Sequence, residues 1–271
     1  MTFHPFGFTS AQQRQLGWRS WLPALPLRPW LECYYLLRPQ TGSQRYRFYP
    51  DGGATLTLPL HEPDIQNVHF SHNTRQSQLV WRPGESRLGI RFTPGGFYAL
   101  FGLSMAEVEA EPAGWLAQAA SLPELFAVVA DCGPHHVEVL DRFFLQQLRR
   151  REPQSSAVQF WCQAGLRAPQ EVRALLARKG IGRRTLERQF QHQVGVSPGQ
   201  LYQWLRLKQA RYLLREYPEQ ALTDIAARLG YYDQAHFVRQ FRQLCAQSPS
   251  QYRQRKLSQL YKAEQCQERR L

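Results

Sequence analysis

The sequence predicts an α+β fold, in which a small N-terminal β-barrel or sandwich with helices is followed by an all-α domain. Within the all-α domain, a long helix joins two helix-turn-helix units. Three observations support this prediction. Short segments of alternating apolar and polar residues lie before residue 93, a sequence pattern recurs after 51 residues in the second half, and positive charge is concentrated in that second half. The 271 residues allow each of two domains a hydrophobic core of its own.

The N-terminal half has the pattern of short strands separated by turns. Candidate strands cover residues 34–37, 46–49, 54–60, 68–70, 79–81 and 88–92. In residues 54–60, apolar side chains alternate with Thr and Pro after the turn residues 50–53, which is typical of a half-buried strand. The first thirty residues combine Trp and Pro, and we expect extended chain packed by aromatic rings. Five or six short strands favour a barrel or a sandwich.

Helices are predicted after these strands, followed by the boundary between the two domains. Ser104 and Glu107 have the spacing of a capping box. Apolar residues at helical spacing predict helices over 122–129 and 137–148. Pro153 and the polar residues around it then predict a linker at 149–156. We therefore expect one domain over residues 1–153 and a second over residues 154–271.

The second half contains an internal repeat, which is the strongest signal in the chain. Leu186-Glu187-Arg188-Gln189-Phe190 with Ser197-Pro198 is matched 51 residues later by Phe237-Val238-Arg239-Gln240-Phe241 with Ser248-Pro249. Each copy follows an amphipathic helix and a glycine-containing turn. The apolar stripes of these upstream helices are Val172, Leu175 and Leu176 in the first, and Leu222, Ile225, Ala226 and Leu229 in the second. The repeat predicts helix-turn-helix units at about 169–195 and 221–245.

Helix-capping residues and a stretch without helix-breaking residues predict how the two units are joined. Asp233 and Gly182 are expected to cap the second helix of each unit. Residues 198–215 contain no interior breaker and predict one helix of roughly 27 Å. Because successive major grooves on one face of B-DNA lie about 34 Å apart, such a rod suits two helices in adjacent grooves. The tail after Lys256 is expected to fray or to form a last helical turn.

Charge and cysteine content limit the class of protein. Residues 154–271 hold 20 Lys and Arg against 8 Asp and Glu, whereas residues 1–153 hold 14 against 13. This asymmetry favours a polyanionic partner for the second half. The 5 cysteines form no CxxC pair and argue against a disulfide framework or a structural zinc site. With no apolar run that would span a bilayer and no signal peptide, we expect a cytoplasmic protein without a membrane partner.

Residues 157–255 resemble the AraC/XylS family of bacterial transcription regulators. The matching segments are Leu186-Glu187-Arg188-Gln189-Phe190, Gly195-Val196-Ser197-Pro198, Arg206-Leu207-Lys208-Gln209-Ala210-Arg211, Ile225-Ala226 and Gly230-Tyr231-Tyr232-Asp233-Gln234-Ala235-His236-Phe237. Three positions depart from the family pattern: Gly182 replaces a capping Ser or Thr, Tyr232 replaces a small Ser, and Cys245-Ala246-Gln247 lacks the usual Gly. The resemblance implies a helix-turn-helix regulator that binds double-stranded DNA.

A second resemblance covers residues 30–115. Tyr49-Pro50-Asp51-Gly52 and the segment from Gly89 to Gly102 are similar to the cupin-like N-terminal domain of some AraC-type regulators. The resemblance implies a sensor or dimerisation module. The candidate partners are therefore a small-molecule effector, RNA polymerase and a second copy of the chain, in addition to DNA.

Two sets of candidate site residues follow. The DNA-binding candidates lie near the N-terminus of each second helix, where base edges are within reach: Arg183, Arg184, Thr185, Glu187 and Arg188 in the first unit, and Gln234, Ala235, His236 and Arg239 in the second. Some of the arginines contact either a base or a phosphate, and His236 either reads DNA or packs within its own unit. The effector-binding candidates are Trp18, Trp21, Trp30, Tyr34, Tyr49 and Trp81, which either line a small-molecule pocket or belong to the ordinary core.

Neither catalysis nor a metal site is predicted. His61, His69 and His72 lack the spacing of a metal cupin, His135 and His136 have no partner pattern, and no nucleophile or zinc motif is present. We expect no cofactor, no bound metal and no enzyme activity. A DNA-binding protein without ligand response, or an enzyme joined to a DNA anchor, is the alternative to an effector-responsive regulator.

Overall fold

A computed structural model describes residues 13–14, 16–39, 44–60, 68–74, 77–82, 84–110, 121–130, 135–151, 157–164 and 169–268. The predicted fold class is confirmed, because strands occupy the first third of the chain and helices fill the remainder. Residues 152–156 of the predicted linker lie outside the described residues. The boundary between residues 153 and 154 therefore stays a prediction.

The described strands form two antiparallel sheets. They are β1 Arg19–Trp21, β2 Leu31–Leu37, β3 Gln44–Phe48, β4 Ala54–Pro59, β5 His69–His72, β6 Ser77–Trp81 and β7 Arg87–Phe92. The larger sheet has the order β1-β2-β7-β4-β5, and β3 pairs with β6 in the smaller one. In the described part, the outer strands of the larger sheet, β1 and β5, are not paired with each other, so the larger sheet is open.

The central strands are buried on both faces, which corrects the half-buried strand expected from alternation. Thr55 and Thr57 of β4 are buried like Leu56 and Leu58, and Arg91 of β7 is only 1% exposed. Arg91 Nη1 donates to Thr55 Oγ1 at 2.9 Å, and the Tyr35 and Thr57 hydroxyls lie 3.4 Å apart. The second face of these strands is therefore buried as well, and its polar side chains contact one another there. The alternation of apolar and polar residues in the sequence does not show that this face is buried.

The N-terminal helices pack against the larger sheet. They are α1 Gly96–Phe101, α2 Met105–Ala110, α3 Leu122–Ala130 and α4 His136–Arg151, and a short 3-10 helix at Leu25–Leu27 corrects the extended chain expected before residue 30. The capping box before α2 is confirmed, because Ser104 N–H donates to Glu107 Oε2 at 2.7 Å and Glu107 N–H donates to Ser104 Oγ at 3.2 Å. The predicted helices α3 and α4 are also confirmed.

The C-terminal half contains helices arranged around one long central helix. They are α5 Ala157–Ala164, α6 Pro169–Arg178, α7 Arg183–Gln193, α8 Pro198–Glu216, α9 Leu222–Arg228, α10 Gln234–Cys245 and α11 Pro249–Glu268. The predicted rod corresponds to α8, which starts at Pro198 after the N-cap Ser197. Leu201 and Trp204 of α8 belong to the core of the first unit, whereas Leu207 and Leu214 belong to the core of the second. One helix therefore supports both units.

Two predictions in this half were wrong. Leu175 was placed on the buried stripe of α6 but is 44% exposed, because Val172 and Leu176 make the contact with the core. The tail after Lys256 was expected to fray or to form a last helical turn, whereas α11 continues to Glu268. This helix begins with the reciprocal cap between Ser248 and Gln251, which satisfies two otherwise free backbone N–H groups.

Tyr49 connects the N-terminal half to the second unit. It lies just after β3 and is buried in the hydrophobic cluster formed by α8, α9 and α10. Its hydroxyl accepts hydrogen bonds from Gln247 Nε2 and Arg255 Nη2, each at 2.9 Å. The guanidinium carbon of Arg211 lies 4.0 Å from the centre of the Tyr49 ring. An N-terminal residue therefore completes the core of a C-terminal unit.

An ion cluster, defined as the buried Asp51 and Arg91 with the half-buried Glu32 and Lys208, makes the second connection. Lys208 Nζ of α8 lies 2.7 Å from Glu32 Oε1 and 3.5 Å from Asp51 Oδ2. Arg91 contacts Asp51 and lies 3.4 Å from Glu32 Oε2. Two cations and two carboxylates balance each other, so the cluster buries charge without a net excess. Removing one member leaves the remaining three with an excess of the opposite charge.

The ion cluster controls the protonation of Asp51. Burial alone would raise the pKa of this carboxyl, but the charges of Arg91 and Lys208 and the hydrogen bonds to Arg91 and Gly53 hold it well below its usual range. A folded-state pKa below the unfolded one means that ionised Asp51 stabilises the fold. This stabilisation is complete above the unfolded pKa, about 4, and is lost as the pH falls from there toward the folded value.

We predict that Asp51→Asn lowers the free energy of unfolding by ~3 kcal/mol at pH 7, because Arg91 and Lys208 lose their shared carboxylate. The variant should also lose less stability than the wild type below pH 4, because the amide that replaces the carboxyl does not titrate. Urea unfolding of the full chain between pH 3 and 7 measures both effects. Glu85→Gln is the control, since Glu85 forms an exposed pair with Arg87 at 3.8 Å. Equal losses for the two variants would contradict a structural role for the cluster.

Candidate nucleic-acid interface

The second helix of the first unit, α7, presents a cationic face. Gly182 caps it as predicted, with an extended backbone and no side-chain hydrogen bond. Leu186 and Phe190 bury one face against α5 and α8. Arg184 and Arg188 lie exposed on the other side. Since the buried face fixes the rotation of the helix, these two guanidinium groups are available to a ligand outside the protein.

An ion pair occupies the start of α7. Arg183 Nε donates to Glu187 Oε1 at 2.8 Å, and the Arg183 side chain is 89% exposed. Such an exposed pair contributes little to stability, and it is readily exchanged for other partners. The Glu187 carboxylate is therefore positioned by Arg183 but remains able to accept a hydrogen bond from a base. Thr185 is half-buried between them.

The second helix of the second unit, α10, has a stronger cap and a different exposed face. Asp233 accepts a hydrogen bond from His236 N–H at 2.6 Å, which confirms the predicted N-cap. Gln234, Ala235 and Arg239 are exposed. His236 is half-buried, and its ring lies edge-on to Tyr231 with 5.5 Å between centroids. Of the two roles considered for His236, packing within its own unit has structural support.

The structure thus places all the DNA-binding candidates on the N-terminal parts of α7 and α10. Further exposed residues close to these helices were not among the DNA-binding candidates: Arg178 and Lys179 before α7, Arg228 before α10, and Tyr232 in the second turn. Basic residues are common at helix ends and in turns, so their spacing alone gave no signal. Since cations outnumber acids around both helix starts, the surface favours a polyanion.

The five aromatic effector candidates whose side chains are described do not form one group. Trp30 and Tyr34 lie in the main N-terminal core, Trp18 stacks on Tyr35 in a separate cluster, and Tyr49 belongs to the second unit. Trp21 is half-buried with its ring edge-on to His136, and the side chain of Trp81 lies outside the described part. Aromatic content alone does not specify which residues share a pocket, because most of these rings fill separate cores.

A cavity instead lies where the two halves meet. Its volume is about 500 Å³, within the usual range for small-molecule sites. The apolar part of its lining includes Leu25, Pro94 and Leu205, and the ion cluster forms much of its polar part. Cys162 also lines it, and burial raises the pKa of this thiol to about 12, so the thiol is protonated at neutral pH. The cavity thus combines an apolar lining with a charged wall, in which Arg28 adds a third cation to the two cations and two carboxylates of the ion cluster.

The histidines considered for metal binding are dispersed. His72 Nδ1 lies 2.8 Å from Glu109 Oε1, His69 is exposed at the start of β5, and His61 lies outside the described residues. His136 begins α4, with His135 exposed just before it. Among the residues with described positions, no group of three or more His, Cys, Asp or Glu side chains is placed to hold a metal ion.

Two families match separate parts of the chain. A family described as a helix-turn-helix domain matches residues 175–255, which cover the end of α6 through the start of α11. A domain of unknown function (DUF6597) matches residues 19–111, which cover β1 through α2. The first match coincides with the surface described above.

Curated relatives match the same helical region. The HTH-type transcriptional activator RhaS of Escherichia coli O139:H28 is 46% identical over 71 residues, which are 26% of this chain and 25% of RhaS. An uncharacterized HTH-type transcriptional regulator of Haemophilus influenzae is 38% identical over 73 residues, 27% of this chain and 24% of that protein. The chain therefore matches about a quarter of the length of these transcriptional regulators.

Solved structures of ToxT from Vibrio cholerae show a distant likeness. One covers 78% of this chain and 97% of ToxT, with 12% identity and a TM-score of 0.37. Another, of ToxT with a bound unsaturated fatty acid, has a TM-score of 0.29. In the described part of this chain, no helix has both the length and the apolar character needed to cross a bilayer.

Proposed function

We propose, from the premise that residues 175–255 form a helix-turn-helix domain of the AraC/XylS type, that this protein binds a specific double-stranded DNA sequence and regulates transcription there. One observation carries the proposal. The exposed N-terminal parts of α7 and α10 are held by the two ends of a single helix, α8. A shared helix fixes their separation, as simultaneous entry into adjacent major grooves requires.

The two units are suited to different bases. Arg184 and Arg188 of α7 have the forked donors that pair with guanine O6 and N7, and Glu187 supplies an acceptor for cytosine N4. Gln234 of α10 has the donor and acceptor that match adenine. Arg183 and Arg239 are assigned to the phosphates beside these bases, where their charge increases affinity for all sequences. Thr185 and His236 support the two helix starts from half-buried positions.

We further propose that the N-terminal half regulates the DNA-binding half in response to a small molecule. The cavity at the junction supports this role, because residues of the N-terminal half and of α8 line it together. A ligand there contacts the ion cluster and Leu205 at once, so occupancy acts directly on the helix that spaces the two units. The cavity lining replaces the six aromatic candidates in this proposal, since the five with described side chains do not share one pocket.

The remaining partners follow from the DNA-binding role. We assign the protein to the cytoplasm, where a bacterial chromosome is accessible, and expect contact with RNA polymerase if it acts as an activator. A second copy of the chain is a further candidate partner. Relatives of the helical region are transcriptional regulators, and we propose a regulator without enzyme activity for this chain as well.

Selection of binding sites from a random duplex library tests the function. We predict that the wild type enriches one sequence, and that Arg184→Ala and Gln234→Ala each relax the preference at a different position by about tenfold or more. Each bidentate base contact contributes roughly 1–3 kcal/mol of discrimination, which accounts for this size. Sequencing of the bound pools measures the preference at every position.

Gln243→Ala is the matched control for Gln234→Ala. Gln243 is also an exposed glutamine of α10 but lies near its C-terminal end, away from the proposed groove. This variant should select the wild-type sequence. Loss of preference at the same position in both variants would contradict the assignment of Gln234, and no enriched sequence for the wild type would contradict the function.

A substitution at the cavity mouth tests the effector site. Leu25 lines the cavity and is 72% exposed, so Leu25→Trp should block ligand entry without disturbing the core. We predict that small molecules which raise the melting temperature of the wild type no longer do so for Leu25→Trp, while DNA affinity without ligand is unchanged. Leu22→Trp is the control, because Leu22 is 57% exposed but does not line the cavity. Ligands that stabilise all three proteins equally would place the effector site elsewhere.

A further inference from the structure

The turns of the two helix-turn-helix units differ in length by one residue. In the first unit, Ile181 N–H donates to Leu176 O at 2.9 Å; in the second, Tyr231 N–H donates to Ala226 O at 3.0 Å. These equivalent bonds are 50 residues apart, since 231 minus 181 and 226 minus 176 both give 50. The helices that follow repeat after 51 residues, so the second turn contains an additional residue.

The additional residue is Tyr232. In the first turn, Ile181 is followed directly by the N-cap Gly182, whereas Tyr232 stands between Tyr231 and the N-cap Asp233 in the second. The glycines that begin the two turns have the same left-handed backbone, with φ of 77° at Gly180 and 68° at Gly230. Both turns therefore leave the first helix in the same way. The difference arises only where the chain enters the second helix.

The backbone of Tyr232 is held by its two neighbours, while its own ring is in solvent. The side chain is 93% exposed, and it belongs to none of the hydrophobic clusters of the described residues. Its neighbour Tyr231 is buried beneath Arg206 of α8, with the guanidinium carbon 3.6 Å from the ring centre. Asp233 on the other side is fixed by its cap bond to His236. The fold thus exposes a large aromatic side chain that does not contribute to the packing of the described core.

We infer that Tyr232 is a DNA-contact residue of the second unit, which donates its hydroxyl to a phosphate oxygen at the edge of the major groove while its ring packs along the adjacent deoxyribose. The inference rests on the proposed function. Tyr232 precedes the N-cap of α10, so it lies outside the part of the helix that reaches base edges and next to the part that approaches the backbone. Tyrosine is among the side chains that commonly bond phosphate oxygens.

A phosphate contact by a phenol has a measurable signature. It strengthens binding to all sequences alike, because phosphates carry no base information. It also leaves the salt dependence unchanged, because a phenol brings no positive charge to the phosphate and releases no counterion. A lysine or arginine contact, by comparison, changes the slope of log K against log salt by about one. Base preference and salt slope together therefore distinguish the proposed phosphate contact of Tyr232 from a base contact by Gln234 and from a charged phosphate contact by Arg239.

The test uses the full chain and three variants, with fluorescence anisotropy at several salt concentrations on the duplex selected for the wild type and on an unrelated duplex. We expect Tyr232→Phe to bind both duplexes on the order of tenfold more weakly, since one hydrogen bond to a charged group is lost, and Tyr232→Ala to be weaker still. Salt slopes and melting temperatures should match the wild type. Tyr217→Phe is the control, because Tyr217 is 48% exposed just after α8 and should bind like the wild type.

The outcomes distinguish this inference from the function on which it rests. If the wild type binds its selected duplex and Tyr232→Phe binds equally well, the phosphate contact is refuted while the function stands. A changed salt slope or an altered base preference for Tyr232→Phe also overturns the assignment to a phosphate. If the wild type shows no preferred duplex, the proposed function itself fails.

Discussion

The central constraint in this structure is that one helix, α8, belongs to two hydrophobic cores. Leu201 and Trp204 pack with the first unit, and Leu207 and Leu214 pack with the second. The rotation and spacing of α7 and α10 are therefore set by a single rod of 19 residues, roughly 28 Å long. Bending or breaking this helix disturbs both cores at once. Such a geometry suits the proposed function, in which the two units meet DNA together rather than separately.

The same helix also carries the connection to the N-terminal half. Lys208, near the middle of α8, pairs with Glu32 and Asp51, and Arg211 lies against the ring of Tyr49. The N-terminal half thus contacts α8 through charge at one point and through an aromatic ring at another. Because the cavity lies beside the charged contact, a ligand there alters the balance of the ion cluster. This arrangement gives the proposed effector a direct physical route to the spacing of the two units.

The sequence was sufficient for those features that depend on local pattern. The internal repeat, the cap at Asp233, the continuous helix from Pro198 and the capping box at Ser104 all follow from residue types at fixed spacing, and the structure confirms them. The exposed faces of α7 and α10 were predictable for the same reason. Once a stripe is buried, the opposite face of an amphipathic helix must be exposed.

The features that depend on distant partners could not be predicted. Arg91 occupies an alternating position that is typically exposed, yet it is buried because Glu32, Asp51 and Thr55 surround it. Likewise, aromatic residues near one another in the sequence lie in separate cores, and the cavity is formed by segments far apart in the chain. The backbone hydrogen bonds of the two turns place the additional residue at Tyr232.

Hydroxyl-radical footprinting of the full chain on its selected duplex tests the central claim most directly. If α8 holds both units on one surface, the protein should protect two segments on one face of the duplex, separated by about one helical turn of 10–10.5 base pairs. The two segments should also appear together as protein is added, since the units are rigidly joined. A single protected segment, or two segments that appear at different protein concentrations, would contradict the account.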